Sequence, residues 1–390
     1  DKLNLVTREI LSGLPVIRAF SNERHEEERF EEANKRLTKV NLFINRAMSF
    51  MMPIMMLVMN FVCLVIVYQG AKGVDSGAMQ VGDIMAYIQY TMQIIMAFLM
   101  ISMMSIMLPR ANVSAKRIME IIETKDTIYN SDHLVDFKPE ERGKVEFKNV
   151  SFRYPDADYD VITDINLVAN PGETTAFIGS TGSGKSTLIN LIPRFYDVTD
   201  GELLVDGVNI KDVDLHELRE KIGFVPQKGV LFTGTIKDNI KYGNENITDE
   251  DVDKALEVAQ ATEFVSKLKG GVDYDISQGG TNVSGGQKQR LSIARAIAKN
   301  PDIYVFDDSF SALDFKTDAK LRGELAKITK DKTVLIVAQR ISTIMNADKI
   351  VVLNEGSVVG IGTHKELMKN CNVYKEIALS QLSKEELENA

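Results

Sequence analysis

The sequence has little cysteine and no excess of positive charge. Its 390 residues include two cysteines, Cys63 and Cys371, and neither has further metal ligands at a characteristic spacing around it. We therefore expect two unpaired thiols. The formal net charge of −9 argues against a nucleic-acid-binding protein, because such proteins neutralise phosphates with a basic surface.

The chain also lacks an initiator methionine and a signal-peptide pattern. It begins at Asp1, which predicts a fragment whose upstream part is missing. At about 100–200 residues per domain, a chain of this length is expected to form two structural units.

Two stretches in the first part of the chain, about 47–68 and 84–109, contain no charged side chain. As a helix, the first would be about 33 Å long at about 1.5 Å per residue, enough to cross a hydrocarbon core of roughly 30 Å. The pattern predicts two transmembrane helices in an upstream domain of residues 1–124. Basic residues flank the pair on its outer sides, which places those ends in the cytoplasm and the 69–83 turn outside. The alternative is a pair of buried core helices in a large soluble protein.

Most of the 17 methionines lie in these stretches. Thioether side chains adapt to irregular shapes, so they favour a hydrophobic or amphipathic substrate. Contact with membrane lipid or helix packing explains them equally well. Because neither stretch holds an ionisable residue of the kind that forms proton or ion relays, we expect no such relay in these two helices. The methionines include Met51, Met52, Met55, Met56, Met59, Met96, Met100, Met103, Met104 and Met107.

The composition changes after residues 125–143. This segment is polar, includes Pro139 and has no sustained hydrophobic period, which predicts a linker, with a surface loop as the alternative. From Lys144 onward, apolar and charged residues alternate as in a soluble enzyme. We therefore predict a second domain over residues 144–390.

A glycine-rich loop lies between an apolar strand, 174–178, and an apolar helix, 188–192. In such a loop the glycines let backbone N–H groups face phosphate oxygens, while Lys185 reaches the β- and γ-phosphates and Ser186 can hold Mg²⁺. The pattern predicts an α/β P-loop NTPase domain that binds ATP with Mg²⁺. The loop residues are Gly179, Ser180, Thr181, Gly182, Ser183, Gly184, Lys185, Ser186 and Thr187.

Two further elements complete the local pattern. A strand over 303–307 ends in Asp307, the carboxylate that a phosphate loop needs to orient the water shell of the metal. Before it, a short polar turn opens an apolar-periodic helix over 291–298. That turn is Ser284, Gly285, Gly286 and Gln287.

The order of these motifs resembles the ATP-binding cassette of ABC transporters, from about Val145 to the end of the chain. In that resemblance Tyr154 corresponds to the aromatic residue that stacks on adenine, and Gln227 to the glutamine that senses Mg²⁺ and the membrane domain. The loop that crosses to a partner cassette corresponds to Ser311, Ala312, Leu313 and Asp314. More loosely, residues 8–20 and the two spans are similar to the end of a six-helix exporter domain. The implied fold is all-α transmembrane helices followed by an α/β P-loop ABC domain.

The resemblance implies a head-to-tail dimer. Each ATP would lie between the phosphate loop of one chain and the Ser284–Gln287 signature of the other. ATP binding would close the cassettes and tilt the helix bundle, and hydrolysis would reset it.

Two positions depart from the family pattern. Asp308 stands where the family usually has a glutamate that polarises the attacking water, and Gln339 stands where it has a histidine near the γ-phosphate. Aspartate is one methylene shorter, and glutamine cannot carry a proton. Because the signature is intact apart from Val283 in place of leucine, the pattern resembles the impaired chain of a heterodimeric exporter. The expected partner is a second ABC half-transporter with a working site.

The leading hypothesis is therefore a subunit of an ATP-driven exporter of drugs, lipids or peptides, placed in a bacterial plasma membrane. A homodimer in which Asp308 works as the base is an alternative, as is an engineered trap. A regulatory ATP-binding module would use the same motifs. A soluble cassette ATPase of DNA repair or translation conflicts with the two spans, and fusion of spans to cassette favours an exporter over an importer.

Overall fold

The computed structural model describes residues 2–244 and 246–381, apart from the side chain of Ile106. The predicted cassette thus includes residues 382–390, which lie outside the described part. Contacts divide the chain into two compact units, Asp1–Lys125 and Asp126–Ala390.

The first unit consists of three helices, α1 (Lys2–Ala19), α2 (Glu23–Asp75) and α3 (Val81–Ile122). Both α2 and α3 are long and apolar enough to cross a membrane, with mean hydropathies of 2.5 and 2.0 over their most apolar windows. Both helices are longer than the uncharged stretches within them. Their additional turns carry charged residues, which suit parts of a helix exposed to solvent. Ion pairs such as Glu31 with Lys35 at 2.8 Å line the polar part of α2.

The turn between α2 and α3 is closed by tight packing. A Cβ atom at Gly70 would lie 2.6 Å from Cγ1 of Ile84, and one at Gly73 would lie 2.9 Å from Sδ of Met79. Glycine therefore lets the two helices approach at this end of the hairpin.

Within this unit most of the named methionines are exposed, and only Met51, Met55 and Met59 are partly buried. Both interpretations of the methionines stay open.

The strands of the second unit are β1 (Val145–Phe152), β2 (Ile162–Ala169), β3 (Thr174–Gly179), β4 (Asp200–Val205), β5 (Val208–Asn209), β6 (Ile222–Val225), β7 (Gly234–Thr235), β8 (Asp275–Ile276), β9 (Ile303–Asp307), β10 (Thr333–Val337), β11 (Lys349–Asn354) and β12 (Ser357–Gly362). Six of them form the main sheet, in the order β12-β11-β3-β10-β9-β6. Five of these strands are parallel, and β12 is antiparallel to β11. Strands β9 and β10 are buried along their whole length, as their continuous apolar sequences predict. An antiparallel sheet has the order β2-β1-β4-β5, and β7 pairs with β8.

Helices complete this unit. They are α4 (Lys185–Asn190), α5 (Leu215–Glu220), α6 (Ile236–Ile240), α7 (Asp249–Val258), α8 (Thr262–Ser266), α9 (Gly285–Ala298), α10 (Phe315–Ile328), α11 (Ile341–Ile344), α12 (His364–Asn370) and α13 (Asn372–Gln381), with short 3₁₀ turns at Pro139–Glu141, Gly271–Asp273 and Gln278–Gly280.

Alternate residues of the central strands enter two cores, one on each face of the six-stranded sheet. Phe177, Val305 and Leu335 pack with the antiparallel sheet, whereas Phe306 and Ile336 pack with the helices on the other face. Because β3, β9 and β10 are parallel neighbours, the loops that follow them leave the sheet at one edge.

Residues 126–143, most of the predicted linker, belong to the second unit and form hydrogen bonds with the rest of it. Val135 N donates to Asp212 O at 2.8 Å, and the Asn130 amide oxygen accepts from Leu215 N at 2.9 Å. The Arg142 guanidinium forms two bonds with Asp302, at 2.7 and 3.0 Å.

Candidate functional site

The phosphate loop connects β3 to α4 through a tight turn. Gly182 and Gly184 have φ values of +84° and +92°, which side chains with a Cβ rarely adopt. A Cβ at Gly179 would lie 2.1 Å from the carbonyl oxygen of Leu353, so this position also has no room for a side chain. The helix begins at Lys185, three positions before the predicted apolar segment, with Gly184 as its N-cap residue.

This loop forms one wall of a pocket of about 310 Å³. The pocket brings together most of the predicted ATP-binding and catalytic residues. Val161 and Val337 also line it. Val337 ends β10 two residues before Gln339, whereas Val161 belongs to no motif that could have identified it from the sequence. The lining residues are Val161, Gly179, Thr181, Gly182, Gly184, Lys185, Ser186, Thr187, Gln227, Asp308, Val337 and Gln339.

The Lys185 ammonium group is folded back onto its own loop. Its Nζ donates to the carbonyl oxygens of Gly179 and Ser180 at 2.9 and 2.7 Å and to Ser183 Oγ at 3.3 Å. Ser180 and Ser183 thus hold the lysine and do not line the pocket. Burial lowers the pKa of Lys185, and the nearby carboxylates of Asp308 and Asp307 oppose that effect. A phosphate would supply acceptors that replace the loop carbonyls.

Of the three residues predicted from the sequence to bind the metal, Ser186 and Asp307 are hydrogen-bonded to each other, and Gln227 lines the same pocket as Ser186. Ser186 Oγ donates to Asp307 Oδ1 at 2.8 Å, joining the start of α4 to the end of β9. Burial raises the pKa of Asp307, the bond from Ser186 lowers it, and the adjacent Asp308 raises it. With the Gln227 amide oxygen, these groups form an oxygen-only donor set, which fits Mg²⁺.

Asp308 follows β9 in the left-handed backbone region, with φ +44°. Its Oδ2 accepts from Gln339 Nε2 at 2.9 Å and, at a longer 3.4 Å, from Gln227 Nε2. Burial raises the pKa of Asp308, whereas a bond with Ser311 and the Gln227 amide act in the opposite direction. Asp308 and Gln339, the two predicted departures from the family pattern, therefore contact each other, which the sequence could not show.

Tyr154 lies beside the loop rather than in the lining of the pocket. Its hydroxyl is 3.1 Å from Thr187 Oγ1. Its ring packs edge-on against Phe152 and Tyr196, with centroids 4.9 and 5.2 Å away. Tyr196 has no motif that identifies it from the sequence, and it extends the aromatic surface next to the phosphate loop.

The signature turn forms the first turn of α9. Ser284 and Gln287 form a capping box in which each side chain accepts from the other's backbone N–H, at 3.3 and 2.9 Å. A Cβ at Gly285 would meet no heavy atom within 4 Å among the described residues, whereas one at Gly286 would lie 3.2 Å from Ala312 O. Ser284–Gln287 do not line the pocket described above.

The predicted crossing loop, Ser311 to Asp314, follows Asp308 closely in sequence and contacts its backbone. Ser311 Oγ donates to the Asp308 carbonyl at 2.8 Å, and Asp314 caps α10 by accepting from Thr317 N at 3.0 Å. Leu313 is buried in the core. Within α9, Gln289 Nε2 donates to Pro226 O at 3.1 Å, next to Gln227 in sequence.

Two family models match this chain. A model of the ABC transporter domain covers residues 162–311, and a model of the ABC transporter transmembrane region covers residues 1–98. An uncharacterised ABC transporter ATP-binding protein of Mycobacterium bovis is 44% identical over 98% of this chain. The chain belongs to the ABC transporter family.

Other similarities agree with this family. An ATP-dependent lipid A-core flippase of Syntrophus aciditrophicus is 34% identical over 99% of this ABC transporter chain and 64% of its own length. A bacterial Atm1-family ABC exporter solved with ATP bound matches with a TM-score of 0.85 and 28% identity, over 97% of this chain and 66% of the other. The chain likewise spans 66% of the Mycobacterium bovis relative.

These matches confirm the predicted architecture, a helical transmembrane region followed by a P-loop ABC domain. Membership of the cassette family implies ATP binding.

Proposed function

We propose that this chain is a subunit of an ATP-driven exporter that holds ATP at a site impaired in hydrolysis and lends its signature to a partner's working site. The observation that carries the proposal is the pairing of Asp308 with Gln339 inside the phosphate pocket, while Ser284–Gln287 keep an ordered helix start. One ATP site in the assembled exporter would then hydrolyse ATP, while the other site would mainly bind it.

Within the pocket, the phosphate loop and Lys185 bind the triphosphate. Ser186, Gln227 and Asp307 would hold Mg²⁺, which would neutralise negative charge on the triphosphate. Asp308 is the carboxylate available to accept a proton from water, but it reaches one methylene less far than glutamate. Gln339 can orient an oxygen through its amide and cannot take up the proton itself.

The impaired pair supports a heterodimer. Ser284 and Gly285 are exposed, and they lie outside the pocket formed by the chain's own phosphate loop. The partner in this proposal is a second ABC half-transporter that carries the usual glutamate and histidine. Its ATP would bind against Ser284–Gln287.

The exported compound is proposed to be hydrophobic or amphipathic: a drug, a lipid or a peptide. The methionine-rich helices α2 and α3 support this class, and the flippase relative adds an analogy at the level of the family. The proposed location is a bacterial plasma membrane with the cassette in the cytoplasm. Basic residues at the outer ends of the hairpin support that orientation.

A homodimeric exporter is the second candidate. Burial raises the pKa of Asp308, which makes its carboxylate a better proton acceptor than an exposed aspartate. Turnover by the subunit alone is the property that separates the two candidates.

The deciding measurement is ATP turnover by the full-length subunit in liposomes, alone and co-expressed with a half-transporter that has the glutamate and histidine. We expect turnover in the pair and little in the subunit alone. Robust turnover by the subunit alone would replace the heterodimer with the homodimer.

A variant tests the assignment of impairment to these two residues. Asp308→Glu combined with Gln339→His should raise turnover at this site by about 10- to 100-fold, because a longer base and a proton-carrying side chain are both restored. Each single substitution serves as a control and should give less than the pair. Unchanged turnover in the double variant would show that Asp308 and Gln339 do not impair hydrolysis at this site.

A further inference from the structure

The Gln339 loop is a short connection between β10 and α11, residues 338–340. Backbone pairing holds its start, since Ala338 N donates to Phe177 O at 3.1 Å. The Arg340 side chain donates to the carbonyl oxygen of Ser311 at 3.3 Å, and the Arg340 carbonyl oxygen accepts from Thr343 N at 3.2 Å. These contacts leave the carbonyl oxygen of Gln339 and the first N–H of α11 to be satisfied by another part of the chain.

Gln381, at the end of α13, satisfies both groups with one side chain. Its Nε2 donates to the Gln339 carbonyl oxygen at 2.7 Å, and its Oε1 accepts from Ile341 N at 2.8 Å. The amide thus spans the loop from its catalytic position to the first residue of α11. It joins residues about 40 positions apart in sequence.

The position of Gln381 is fixed by the rest of α13. Tyr374, Ala378 and Gln381 follow one another at spacings of four and three, which places them on one helical face. Tyr374 and Ala378 are fully buried. The Tyr374 hydroxyl is 2.7 Å from His364 Nδ1, which ties α13 to α12. Gln381 therefore projects from a packed helix.

We propose that Gln381 is a positioning residue for Gln339, through which the C-terminal helix α13 sets the geometry of the ATP site. This inference rests on the proposed use of the pocket for ATP. Gln339 donates to Asp308 at 2.9 Å, so a shift of its backbone moves that donor relative to the carboxylate. Small displacements of groups near the reacting atoms lower the rate more than they lower substrate binding.

The first test compares hydrogen exchange at the Ile341 amide. Gln381→Met keeps the length of the side chain and removes both hydrogen bonds, so exchange at Ile341 should increase by about threefold or more. Glu376→Met, on the exposed side of α13, is the matched control and should leave that exchange unchanged. Equal exchange in the unmodified protein and Gln381→Met would overturn the proposal.

The second test measures ATP turnover under single-turnover conditions, with full-length protein in liposomes in excess over labelled ATP. Gln381→Met should lower the rate by about three- to tenfold and change ATP affinity by less than about twofold. Gln381→Glu keeps the acceptor for Ile341 N and loses the donor to the Gln339 carbonyl oxygen. Its turnover rate should therefore lie between those of the unmodified protein and Gln381→Met.

A double-substitution cycle shows whether Gln381 acts through Gln339. In a Gln339→Ala background there is no side chain to position, so adding Gln381→Met should change turnover by less than about twofold. An equal loss in both backgrounds would mean a general structural effect and would refute the positioning role. Absence of ATP binding by the unmodified protein would instead refute the proposed function, and the exchange at Ile341 would still decide whether Gln381 restrains the loop.

Discussion

At the scale of single residues, the site is dominated by two adjacent buried carboxylates, Asp307 and Asp308. Each has a raised pKa, mainly because burial disfavours the charged form. Lys185 lies close enough to interact with both. Two buried negative charges therefore carry a cost to the stability of the second unit, and Mg²⁺ together with the Lys185 ammonium group would offset that cost.

This cost gives a prediction for Asp307→Asn. The asparagine keeps an oxygen acceptor for Ser186 and removes a disfavoured charge, so we expect stabilisation of the order of 1 kcal/mol at pH 7 without nucleotide. For a domain of this size that corresponds to about 2–4 °C in thermal unfolding.

The expected pH dependence follows from the raised pKa. The native protein loses stability as pH rises from the ordinary carboxyl range through the raised pKa of Asp307, whereas Asn does not titrate. The advantage of the variant should therefore be full at neutral pH and vanish in strong acid. Stabilisation by Mg²⁺ with ATP should be lost in the variant. Asp158→Asn, at an exposed position, is the control. A stability gain of Asp307→Asn that becomes larger as the pH falls would contradict the argument.

At the scale of secondary-structure elements, the transmembrane hairpin depends on close approach at its turn. Gly70 is buried against Ile84, whose branched side chain offers little space for an added methyl group. Glycine normally weakens a helix by about 1 kcal/mol relative to alanine, so its presence in α2 is explained by packing.

Two Gly→Ala substitutions test this explanation. Gly70→Ala should destabilise the hairpin by about 1–3 kcal/mol, because the methyl group overpacks the contact with Ile84. Gly82→Ala is the matched control in α3, where a Cβ meets no heavy atom within 4 Å among the described residues. It should be neutral or stabilising. Thermal unfolding in detergent measures both, and equal stabilities would contradict the packing argument.

At the scale of the whole molecule, the chain separates between Lys125 and Asp126. The bonds of Val135, Arg142 and Asn130 attach residues 126–143 to the rest of the second unit. We therefore expect the connection between the two units to be limited to a few residues around Lys125, a shorter segment than the predicted linker.

Limited proteolysis of the full-length protein by trypsin tests that connection. Within 123–143, we expect the first cut after the exposed Lys125, because Arg142 is held by Asp302 and Lys138 precedes a proline. Lys125→Gln should remove this cut. Earlier cleavage after Arg142 would show that the attachment is weak.

The sequence by itself determined the membrane helices, the phosphate loop, the signature turn and Asp307, because each depends on composition or short spacing. It also led to the prediction that Asp308 and Gln339 depart from the family pattern. It did not show that these two side chains contact each other, or that Tyr196 and Val161 adjoin the phosphate loop.

Only the tertiary structure decided those contacts and the role of Gln381. The order of parallel strands places β10 between β3 and β9, so loops far apart in sequence meet at one edge of the sheet. The packing of α13 then brings Gln381 to the Gln339 loop. Such contacts join a side chain to backbone groups that every residue possesses, so no pattern of residue types marks them in advance.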